Sequence, residues 1–426
     1  MNRLARALIE LLLRRLRTGT LTVSEPDGRE RTYGAGGPSA RVSVHSPRAW
    51  RRLLRGSLGL ADAYAEGLWD SPDLVALVRL AARNAALADR PRQRLAPLTR
   101  PLRHARALAR PATRRRRRRD IAAHYDLGDQ LFSRMLDETM TYSCAVFDSP
   151  RATLEEAQRA KLELVCRKLE LSPQDRVLEI GTGWGSFALH AASTRGCQVT
   201  TTTISENQYE HARELVRRAG LTDRVTVLRE DYRDLRGRYD KLVSIEMIEA
   251  VGFRHTGGFL ARCARLLEPH GAMLLQAITI DDRLYEVEKA SRSFIKERIF
   301  PGGSLPSLHS LTGELARHTD LQLVSLQDIT ADYVRTLRCW RERFAANAPA
   351  LRELGYDEHF QRLWTLYLAY CEAGFAERRI CDVQLLLAKP ACRLAGLRRG
   401  DPSVAALGAR EHRPQPRTDS QRERIA

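Results

Sequence analysis

The feature that most constrains the fold is a strand pattern that runs directly into a glycine-rich turn and then into a helix. Residues 177–185 have the sequence VLEIGTGWG, and a helix is predicted over residues 186–193. Glycines in such a turn let the backbone approach a ligand that a Cβ atom would hold away. A tight strand-to-helix turn without a ligand has the same pattern, so the neighbouring segments must decide between the two interpretations.

Strand and helix patterns alternate around this turn. Strands are predicted over residues 176–180, 198–203, 225–228, 241–245 and 272–280, and helices over residues 186–193 and 206–219. The alternation predicts an α/β fold with a doubly wound, mostly parallel sheet that is covered by helices on both faces, as in Rossmann-like domains. A helical insertion is expected over residues 281–299, followed by a last helix over 360–378 and a last strand over 382–388.

Composition divides the chain into four segments: a small N-terminal α+β domain, a basic linker, the α/β domain and a disordered tail, over residues 1–83, 84–119, 120–390 and 391–426. In the first segment, residues 21–44 alternate apolar and polar side chains between turn residues, which predicts a β-hairpin region. Helical patterns follow around residues 47–55 and 72–83. The linker is rich in Arg, Pro and Ala, and an exposed basic helix is the alternative for it.

The net charge of +18 comes from the first 119 residues, which hold 27 Lys and Arg against 9 Asp and Glu. Residues 114–119 are six consecutive arginines. Such a surplus attracts nucleic acid or an anionic membrane, at about 1 kcal/mol per basic residue close to a charged bilayer. The region has no aromatic-interleaved basic motif and no recognisable RNA-binding module, which favours the membrane over nucleic acid.

The start of the chain is also compatible with a membrane partner. A helical pattern over residues 2–17 places Leu4, Leu8, Leu11 and Leu12 on one face beside basic residues, and this helix would lie on a membrane or dock on its own domain. No run of eighteen apolar residues is present, no signal peptide is apparent, and the eight cysteines lack zinc or redox spacing. We therefore expect a cytoplasmic protein, peripherally associated with the inner face of the cell membrane, as a monomer or homodimer.

The acidic residue before the glycine turn bears on the choice of cofactor. Glu179 precedes Gly181 by two positions, where methyltransferases carry a carboxylate that organises the loop and the cationic methionine part of S-adenosylmethionine. Nicotinamide enzymes instead have G-x-G-x-x-G with an acidic residue about twenty positions later. The turn, with Gly181 and Gly183, therefore favours S-adenosylmethionine over a dinucleotide.

Two later stretches fit the same cofactor. Thr203, Ile204 and Gln208 lie where the second strand meets its helix and offer polar groups to a ribose. Asp231 and Tyr232 follow the third strand, where an acidic and an aromatic residue would hold adenine. Each stretch alone is more commonly a helix cap or a turn, but their order after the glycine turn favours contact with a cofactor.

Several motifs in this order resemble those of cyclopropane-fatty-acyl-phospholipid synthases, from about residue 124 to residue 387. They are HYDLG at 124–128, MTYSC at 140–144, SENQ at 205–208, DYRD at 231–234, EAVG at 249–252, IFPGG at 299–303 and ADY at 331–333. A looser match, LADAYAEGLW at 60–69, is similar to the first domain of the bacterial enzymes. The resemblance implies methyl transfer from S-adenosylmethionine to the cis double bond of an unsaturated acyl chain in a membrane phospholipid, giving a cyclopropane ring.

The resemblance also implies roles for individual residues. The segment with Tyr142 and Ser143 would close over the cofactor, and a bicarbonate ion would remove a proton from the transferred methyl so that the ring closes. Glu249, Tyr333 and the Cys144 segment would hold that ion, with Tyr333 donating a hydrogen bond. Because a carboxylate repels an anion, Glu249 would be protonated or would accept a hydrogen bond from bicarbonate. The plainer alternatives are a helix-capping Glu249, a core Tyr333 and a small apolar Cys144.

Gln276 departs from the histidine that bacterial ring-forming members commonly have at this position, although the plant-like branch also has Gln. An amide hydrogen-bonds but carries no charge. If a hydride shift preceded the loss of the proton, the product would be a methylene-branched chain instead of a ring. Methylation of a small amine or phenol is a further alternative, but it needs neither the MTYSC segment nor the PGG loop.

Overall fold

The computed structural model describes residues 2–85 and 128–394. Nearly all of the expected basic linker, with its arginine run, lies outside the described residues, as do the first four residues of the HYDLG motif and residues 395–426 of the tail. In the described part of the chain, no helix is long and apolar enough to cross a membrane.

Helices and strands alternate through most of the described chain. The helices are Asn2–Leu13 (α1), Arg48–Leu53 (α2), Gly56–Ala65 (α3), Leu74–Arg83 (α4), Asp129–Met135 (α5), Leu154–Lys168 (α6), Ser186–Arg195 (α7), Glu206–Arg218 (α8), Ile248–Val251 (α9), Thr256–Leu266 (α10), Tyr285–Ala290 (α11), Leu308–His318 (α12), Thr330–Ala346 (α13), Ala348–Glu353 (α14) and Glu358–Ala376 (α15). The strands are Gly19–Ser24 (β1), Glu30–Ala35 (β2), Ser39–Val44 (β3), Trp69–Asp70 (β4), Arg176–Ile180 (β5), Gln198–Thr202 (β6), Val225–Leu228 (β7), Tyr239–Ile245 (β8), Leu267–Ile280 (β9), Gln322–Asp328 (β10) and Ile380–Ala388 (β11).

The larger sheet has seven strands in the order β10-β11-β9-β8-β5-β6-β7. The five strands β9, β8, β5, β6 and β7 pair in parallel in that order, whereas β11 runs antiparallel to both β9 and β10. Neighbouring residues of β5 enter different cores, since Val177 packs with residues of α6 and α7 and Leu178 packs with residues of α10 and α12. The predicted α/β fold with helices on both faces is therefore confirmed.

The strand order places a switch point between β5 and β8. From β5 the chain proceeds outward to β6 and β7, and it then returns to the other side of β5 as β8. Ligands of such sheets bind in the crevice outside the carboxyl ends of the strands at this point, because the connecting loops diverge there. The residues that follow Ile180 and Ile245 are therefore placed where a ligand of this fold would bind.

The N-terminal part differs from the predicted hairpin region in one respect. Strands β1 and β2 form the antiparallel hairpin, but β3 pairs in parallel with β1, and β4 completes a four-stranded sheet in the order β2-β1-β3-β4. The predicted helices are present as α2 and α4, whereas α3 was not predicted. Helix α3 carries two glycines, Gly56 and Gly59, which disfavour helix and obscured its pattern.

The predicted helical insertion is present as three short helical segments. A 3₁₀ turn at Asp282–Leu284 leads into α11, and a π-helix follows at Ile295–Ile299. The side chains of Phe294 and Ile299 are buried in the core that α13 and α15 also enter. The insertion thus packs on the same side of the molecule as these two long helices.

The N-terminal part docks on helix α15. Residues of both parts belong to one continuous apolar core, with Trp50 and Leu80 on one side and Trp364 and Phe375 on the other. Arg362, on α15, crosses between the two parts. Its guanidinium donates to the carbonyl oxygens of Tyr64 at 2.7 Å and Trp69 at 3.1 Å, and to the carboxylate of Asp70 at 3.1 Å. It also lies 4.2 Å from the ring centroid of Tyr64.

Loss of this guanidinium should destabilise the folded chain. Arg362→Met keeps the aliphatic length but removes the hydrogen bonds from α15 to the Tyr64 and Trp69 carbonyl groups and to Asp70, so we expect the free energy of unfolding to fall by about 2–3 kcal/mol. Arg352→Met, at an exposed position of the neighbouring helix α14, serves as the control and should change it by less than about 0.5 kcal/mol. Urea unfolding followed by circular dichroism measures both, and equal losses in the two variants would contradict the assigned role of Arg362.

Candidate active site

The glycine turn lies at the carboxyl end of β5, next to the switch point. The amide groups of Gly181 and Thr182 both donate to the carbonyl oxygen of Thr202 at 3.1 Å, which ties the turn to the end of β6. Gly183 has a φ of +52°, and a Cβ atom placed there would meet no atom within 4 Å. The backbone at Gly183 therefore faces open space, as a turn that receives a ligand requires.

Glu179 lies beneath the turn. Its side chain is buried and accepts a hydrogen bond from Thr201 Oγ1 at 2.6 Å. Burial raises the pKa of Glu179 to about 8, against the opposing effects of the Thr201 hydrogen bond and the positive charge of Lys161. A cation bound above the turn would favour the ionised form of this carboxyl group.

The residues predicted to contact a cofactor after β6 and β7 line the same edge of the sheet. Thr203 Oγ1 donates to Gln208 Oε1 at 2.8 Å, and Ser205 caps α8, so these groups are fixed in place. Ile204 lies between them and is partly accessible. Asp231 is buried and accepts hydrogen bonds from Arg233, while the Tyr232 ring packs edge-to-face on Phe259 at 5.2 Å.

The MTYSC segment is connected to the glycine turn through aromatic rings. The Tyr142 ring lies 5.1 Å from Phe132, which in turn lies 4.7 Å from Trp184 in the turn. The Tyr142 hydroxyl pairs with the Tyr367 hydroxyl at 2.7 Å. Residues 140–144 thus lie between the glycine turn and α15, and their covering of a cofactor, which the family resemblance implies, stays a prediction.

Ser143 contacts a lysine that sequence reasoning missed. Lys161, on α6, is completely buried and donates to Ser143 Oγ at 2.9 Å. Burial lowers the pKa of Lys161, while the nearby carboxyl groups of Glu246 and Asp382 and the thiol of Cys144 oppose that shift. A buried lysine in an amphipathic helix has no distinguishing sequence signal, although the capping box formed by Thr153 and Glu156 marks where the helix begins.

Two further acidic residues that were not predicted form the centre of the site. Glu246 follows β8, and Asp382 lies on β11. Gln276, on β9, donates from Nε2 to Glu246 Oε1 and to Asp382 Oδ2, both at 2.8 Å. Its own Oε1 accepts from Gln384 Nε2 at 3.0 Å, which fixes the orientation of the amide. Gln276 therefore bridges two carboxyl groups, a task that needs two N–H donors and no charge.

Tyr333 and Cys144 also contact Glu246. The Tyr333 hydroxyl donates to Glu246 Oε2 at 2.6 Å, and the backbone amide of Cys144 donates to Glu246 Oε1 at 2.8 Å. The Cys144 thiol lies instead near the carbonyl oxygens of Ala145 and Ile329, and burial raises its pKa well above the usual range. We call Glu246, Glu249 and Asp382, with the groups that contact them, the acid cluster.

Glu249 belongs to the cluster but has a different set of contacts. Its Oε1 accepts from the backbone amide of Ile278 at 2.6 Å, and its buried Oε2 has no hydrogen-bond partner among the described residues. The low polarity of its surroundings, together with the charge of Glu246, raises the pKa of Glu249 to about 8. A protonated Glu249, one of the two states expected from the sequence, therefore agrees with its position.

The acid cluster bears on the expected bicarbonate ion. The Tyr333 hydroxyl and the Cys144 segment were expected to hold that ion, yet both donate to the carboxylate of Glu246. A second anion at the same donors would have to lie against this carboxylate in a poorly solvated pocket, which is electrostatically unfavourable. The residues present thus do not fit a bicarbonate ion in this arrangement.

Sequence signals existed for both acidic residues. Glu246 comes directly after a strand at the carboxyl edge of the sheet, where catalytic residues of such folds lie. Asp382 and Gln384 are polar residues within the otherwise apolar strand β11, and both are buried. Their pairing with Gln276 follows from the antiparallel register of β9 and β11, which the sequence alone does not give.

Comparisons with known proteins agree with this geometry. The profile of the family described as mycolic acid cyclopropane synthetase matches residues 112–385. Tuberculostearic acid methyltransferase UfaA1 of Mycobacterium tuberculosis is 39% identical over 385 residues, covering 87% of this chain and 88% of the relative. Cyclopropane-fatty-acyl-phospholipid synthase of Escherichia coli is 37% identical over 352 residues, covering 82% of this chain and 87% of the relative.

Solved structures give the same result. The cyclopropane synthase MmaA2 from Mycobacterium tuberculosis superposes with a TM-score of 0.60 at 32% identity, covering 64% of this chain and 98% of that chain. The mycolic acid cyclopropane synthase CmaA1 complexed with SAH and CTAB has the same TM-score and coverage at 31% identity. The fold and the glycine turn define a class I S-adenosylmethionine-dependent methyltransferase. Within that class, the chain belongs to the mycolic acid cyclopropane synthetase family.

Substitution of Gly183 should separate cofactor binding from folding. Gly183→Val projects a side chain into the open space above the turn, so we expect S-adenosylmethionine affinity to fall by roughly tenfold or more, about 1.4 kcal/mol. Gly220→Val is the control, because Gly220 also has a positive φ, +66°, and open surroundings but lies after α8, away from the turn. Isothermal titration calorimetry on both folded variants measures the affinities. Normal binding by Gly183→Val would show that the cofactor lies elsewhere.

Proposed function

We propose that this protein transfers the methyl group of S-adenosylmethionine to the cis double bond of an unsaturated acyl chain in a membrane phospholipid, giving a cyclopropane fatty acid. The observation that carries the proposal is the position of the acid cluster beside the glycine turn, since Glu246 follows β8 and the turn follows the adjacent strand β5. A methyl donor and a group of acidic side chains at one switch point suit a reaction that delivers a methyl group and then removes a proton.

The surroundings of the acid cluster suit an apolar substrate. Tyr333 stacks on Phe375 at 4.3 Å, and Trp340 lies edge-on to Tyr333 at 6.0 Å. Tyr367, on α15, lies 5.7 Å from Phe300. These rings exclude water from an acyl chain, and aromatic faces stabilise a nearby cation such as the carbocation formed after methyl transfer.

A methylene-branched chain is the second candidate product. The relative UfaA1 is named for tuberculostearic acid, and this chain has Gln276 where ring-forming bacterial enzymes commonly have histidine. Both products begin with the same methyl transfer, and the methylene branch forms when a hydride shifts to the cationic carbon before the transferred methyl loses its proton. A saturated methyl branch would require a separate reductase.

Lipid analysis tests the reaction and the product together. Expression in a bacterial host without such an enzyme should convert unsaturated phospholipid acyl chains into species heavier by one CH₂, detected by mass spectrometry. Proton spectra then distinguish a cyclopropane ring from an exocyclic methylene. The Gly183→Val variant is the matched control and should convert much less of the lipid. Unmodified lipids in cells that contain folded wild-type protein would refute the proposed function.

We further propose that the protein reaches its substrate at an anionic bilayer through the basic N-terminal region and α1. In α1 the four leucines of the predicted face are 69% (Leu4), 46% (Leu8), 53% (Leu11) and 58% (Leu12) exposed, whereas Ala5 in the same helix is buried. Arg3, Arg14 and Arg15 are also exposed near this face. An amphipathic helix with exposed leucines and flanking arginines binds the interface of an anionic membrane.

Removing the leucine face should weaken membrane binding. Burial of each leucine contributes about 1.5–3 kcal/mol, so Leu8→Ser with Leu11→Ser should lower binding to phosphatidylglycerol vesicles by roughly tenfold or more. The apparent KM for lipid should rise while S-adenosylmethionine affinity stays unchanged. Leu354→Ser, at a leucine 38% exposed beyond α14, is the control.

The arginine run is tested separately with the same vesicles. Replacement of residues 114–119 by glutamine should weaken binding to anionic phosphatidylglycerol and leave the weak binding to uncharged phosphatidylcholine unchanged. The effect should persist at physiological salt for arginines that lie close to the lipid headgroups, because charges are screened only beyond about 8 Å at that ionic strength. Flotation of the vesicles measures both sets of variants. If neither set alters flotation, the membrane contact lies on another surface.

A further inference from the structure

Glu246 occupies the position at which a small anion would otherwise receive hydrogen bonds. Its Oε1 accepts from the Cys144 amide and from Gln276 Nε2, both at 2.8 Å, and its Oε2 accepts from the Tyr333 hydroxyl at 2.6 Å. We propose that the carboxylate of Glu246, in place of a bound bicarbonate ion, removes the proton that completes the reaction. This inference rests on the proposed function, since it concerns the second half of the same reaction.

The backbone at Glu246 supports this assignment. Glu246 has a φ of +46°, in the left-handed region that side-chain-bearing residues seldom adopt. Such a conformation is unfavourable for a residue with a Cβ atom, and it persists where surrounding contacts enforce it. In this conformation the Glu246 carboxylate points into the acid cluster. A glycine at position 246 would leave the same donors free to bind an external anion.

The distribution of donors assigns the negative charge to Glu246. Glu246 accepts three hydrogen bonds, whereas Asp382 and Glu249 each accept one across the cluster, from Gln276 and Ile278. Because hydrogen bonds stabilise a buried carboxylate, the cluster holds its charge on Glu246 and its protons on the other two acids. Oδ1 of Asp382 and Oε2 of Glu249 are buried and accept no hydrogen bond from the described residues, so neither oxygen has a donor that would stabilise a negative charge.

The pKa directions agree with that distribution. Burial and the neighbouring charges of Glu246 and Glu249 raise the pKa of Asp382 well above its usual range. Burial also raises the pKa of Glu246, but hydrogen bonds from Tyr333 and the Cys144 amide and the charge of Lys161 oppose that rise. Lys161, which donates to the adjacent Ser143, thus supplies a positive charge that favours the ionised base.

The chemical step balances without a further reactant. The π electrons of the double bond form a bond to the sulfonium methyl, and the S–CH₃ electron pair stays on sulfur to give S-adenosylhomocysteine. The Glu246 carboxylate then takes a proton from the transferred methyl, and the freed C–H electron pair closes the ring onto the cationic carbon. If a hydride first shifts from the methyl-bearing carbon to the cationic carbon, loss of a proton from the same transferred methyl gives the methylene branch instead. In either case the proton on Glu246 leaves to solvent before the next turnover.

The experiment measures turnover with S-adenosylmethionine and phosphatidylglycerol vesicles in buffers with and without bicarbonate. Product formation by the wild type tests the proposed function, and the variants test this inference. We expect the wild-type rate to be the same in both buffers. Glu246→Gln should bind S-adenosylmethionine normally and lose on the order of a hundredfold in rate, the scale of a positioned base.

A second variant distinguishes a base from a structural residue. Glu246→Gly suits the positive φ and empties the space at the three donors, so added bicarbonate or formate should restore its rate by about tenfold or more. Glu170→Gly is the matched control, because Glu170 also has a positive φ, +51°, but lies between α6 and β5 at the opposite edge of the sheet. It should keep the wild-type rate and show no response to either anion.

Three results would overturn the inference while leaving the proposed function intact. The first is an active wild type that slows when bicarbonate is removed. The second is a Glu246→Gln enzyme with a near-normal rate. The third is a folded, cofactor-binding Glu246→Gly enzyme that neither anion restores, which would assign Glu246 a structural role. A wild type that forms no product with either buffer would refute the proposed function itself.

Discussion

Several carboxyl groups share one poorly solvated pocket, and this constraint organises the active-site half of the molecule. A buried carboxylate without donors costs several kcal/mol, so each acid must be supplied with hydrogen bonds or a proton. The donors come from separate elements: Gln276 from β9, Tyr333 from α13 and the Cys144 amide from the loop before α6. The acid cluster therefore fixes the relative positions of these three segments as well as the state of the carboxyl groups.

The parallel sheet explains why this pocket lies next to the glycine turn. Strands β5 and β8 are neighbours and run in the same direction, so the residues that follow them emerge at the same edge. One of these loops presents backbone to a ligand, and the other presents Glu246. The antiparallel strand β11 returns along β9 and places Asp382 opposite Ile278, which completes the pocket from the other side.

The N-terminal part contributes to the site through α15. That helix carries Tyr367 and Phe375, which line the aromatic surroundings of the acid cluster, and it also carries Arg362, which holds the carbonyl oxygens of the N-terminal part. Because one apolar core includes both parts, the position of the N-terminal sheet and the position of the aromatic rings depend on each other. Membrane contact through α1 and chemistry at the sheet edge would thus occur on one connected scaffold.

Much of the fold was determined by local sequence. The strands predicted over residues 176–180 and 225–228 have the observed bounds, and that over 198–203 agrees to within one residue, because short apolar strands flanked by glycine and helix caps carry strong local signals. Helices α6 and α13 were not predicted, since polar residues interrupt their apolar faces. Strand β3 lies within the predicted hairpin region, but its parallel pairing with β1 depends on how the small sheet packs in the folded chain.

For the active site, sequence by itself determined the glycine turn and the acidic Glu179 beneath it. It also determined the family, through motifs that include Glu249 and Tyr333, and it identified Gln276 as a site residue. Only the tertiary structure decided which side chains meet. Glu246 lies three positions before Glu249, yet a left-handed backbone turn directs it to Gln276 and Tyr333, and strand register brings in Asp382 from 106 residues beyond Gln276. The physical reason is that the carboxyl groups of the acid cluster share their negative charge, their protons and their hydrogen-bond donors. Only the folded sheet brings these side chains within hydrogen-bonding distance of one another.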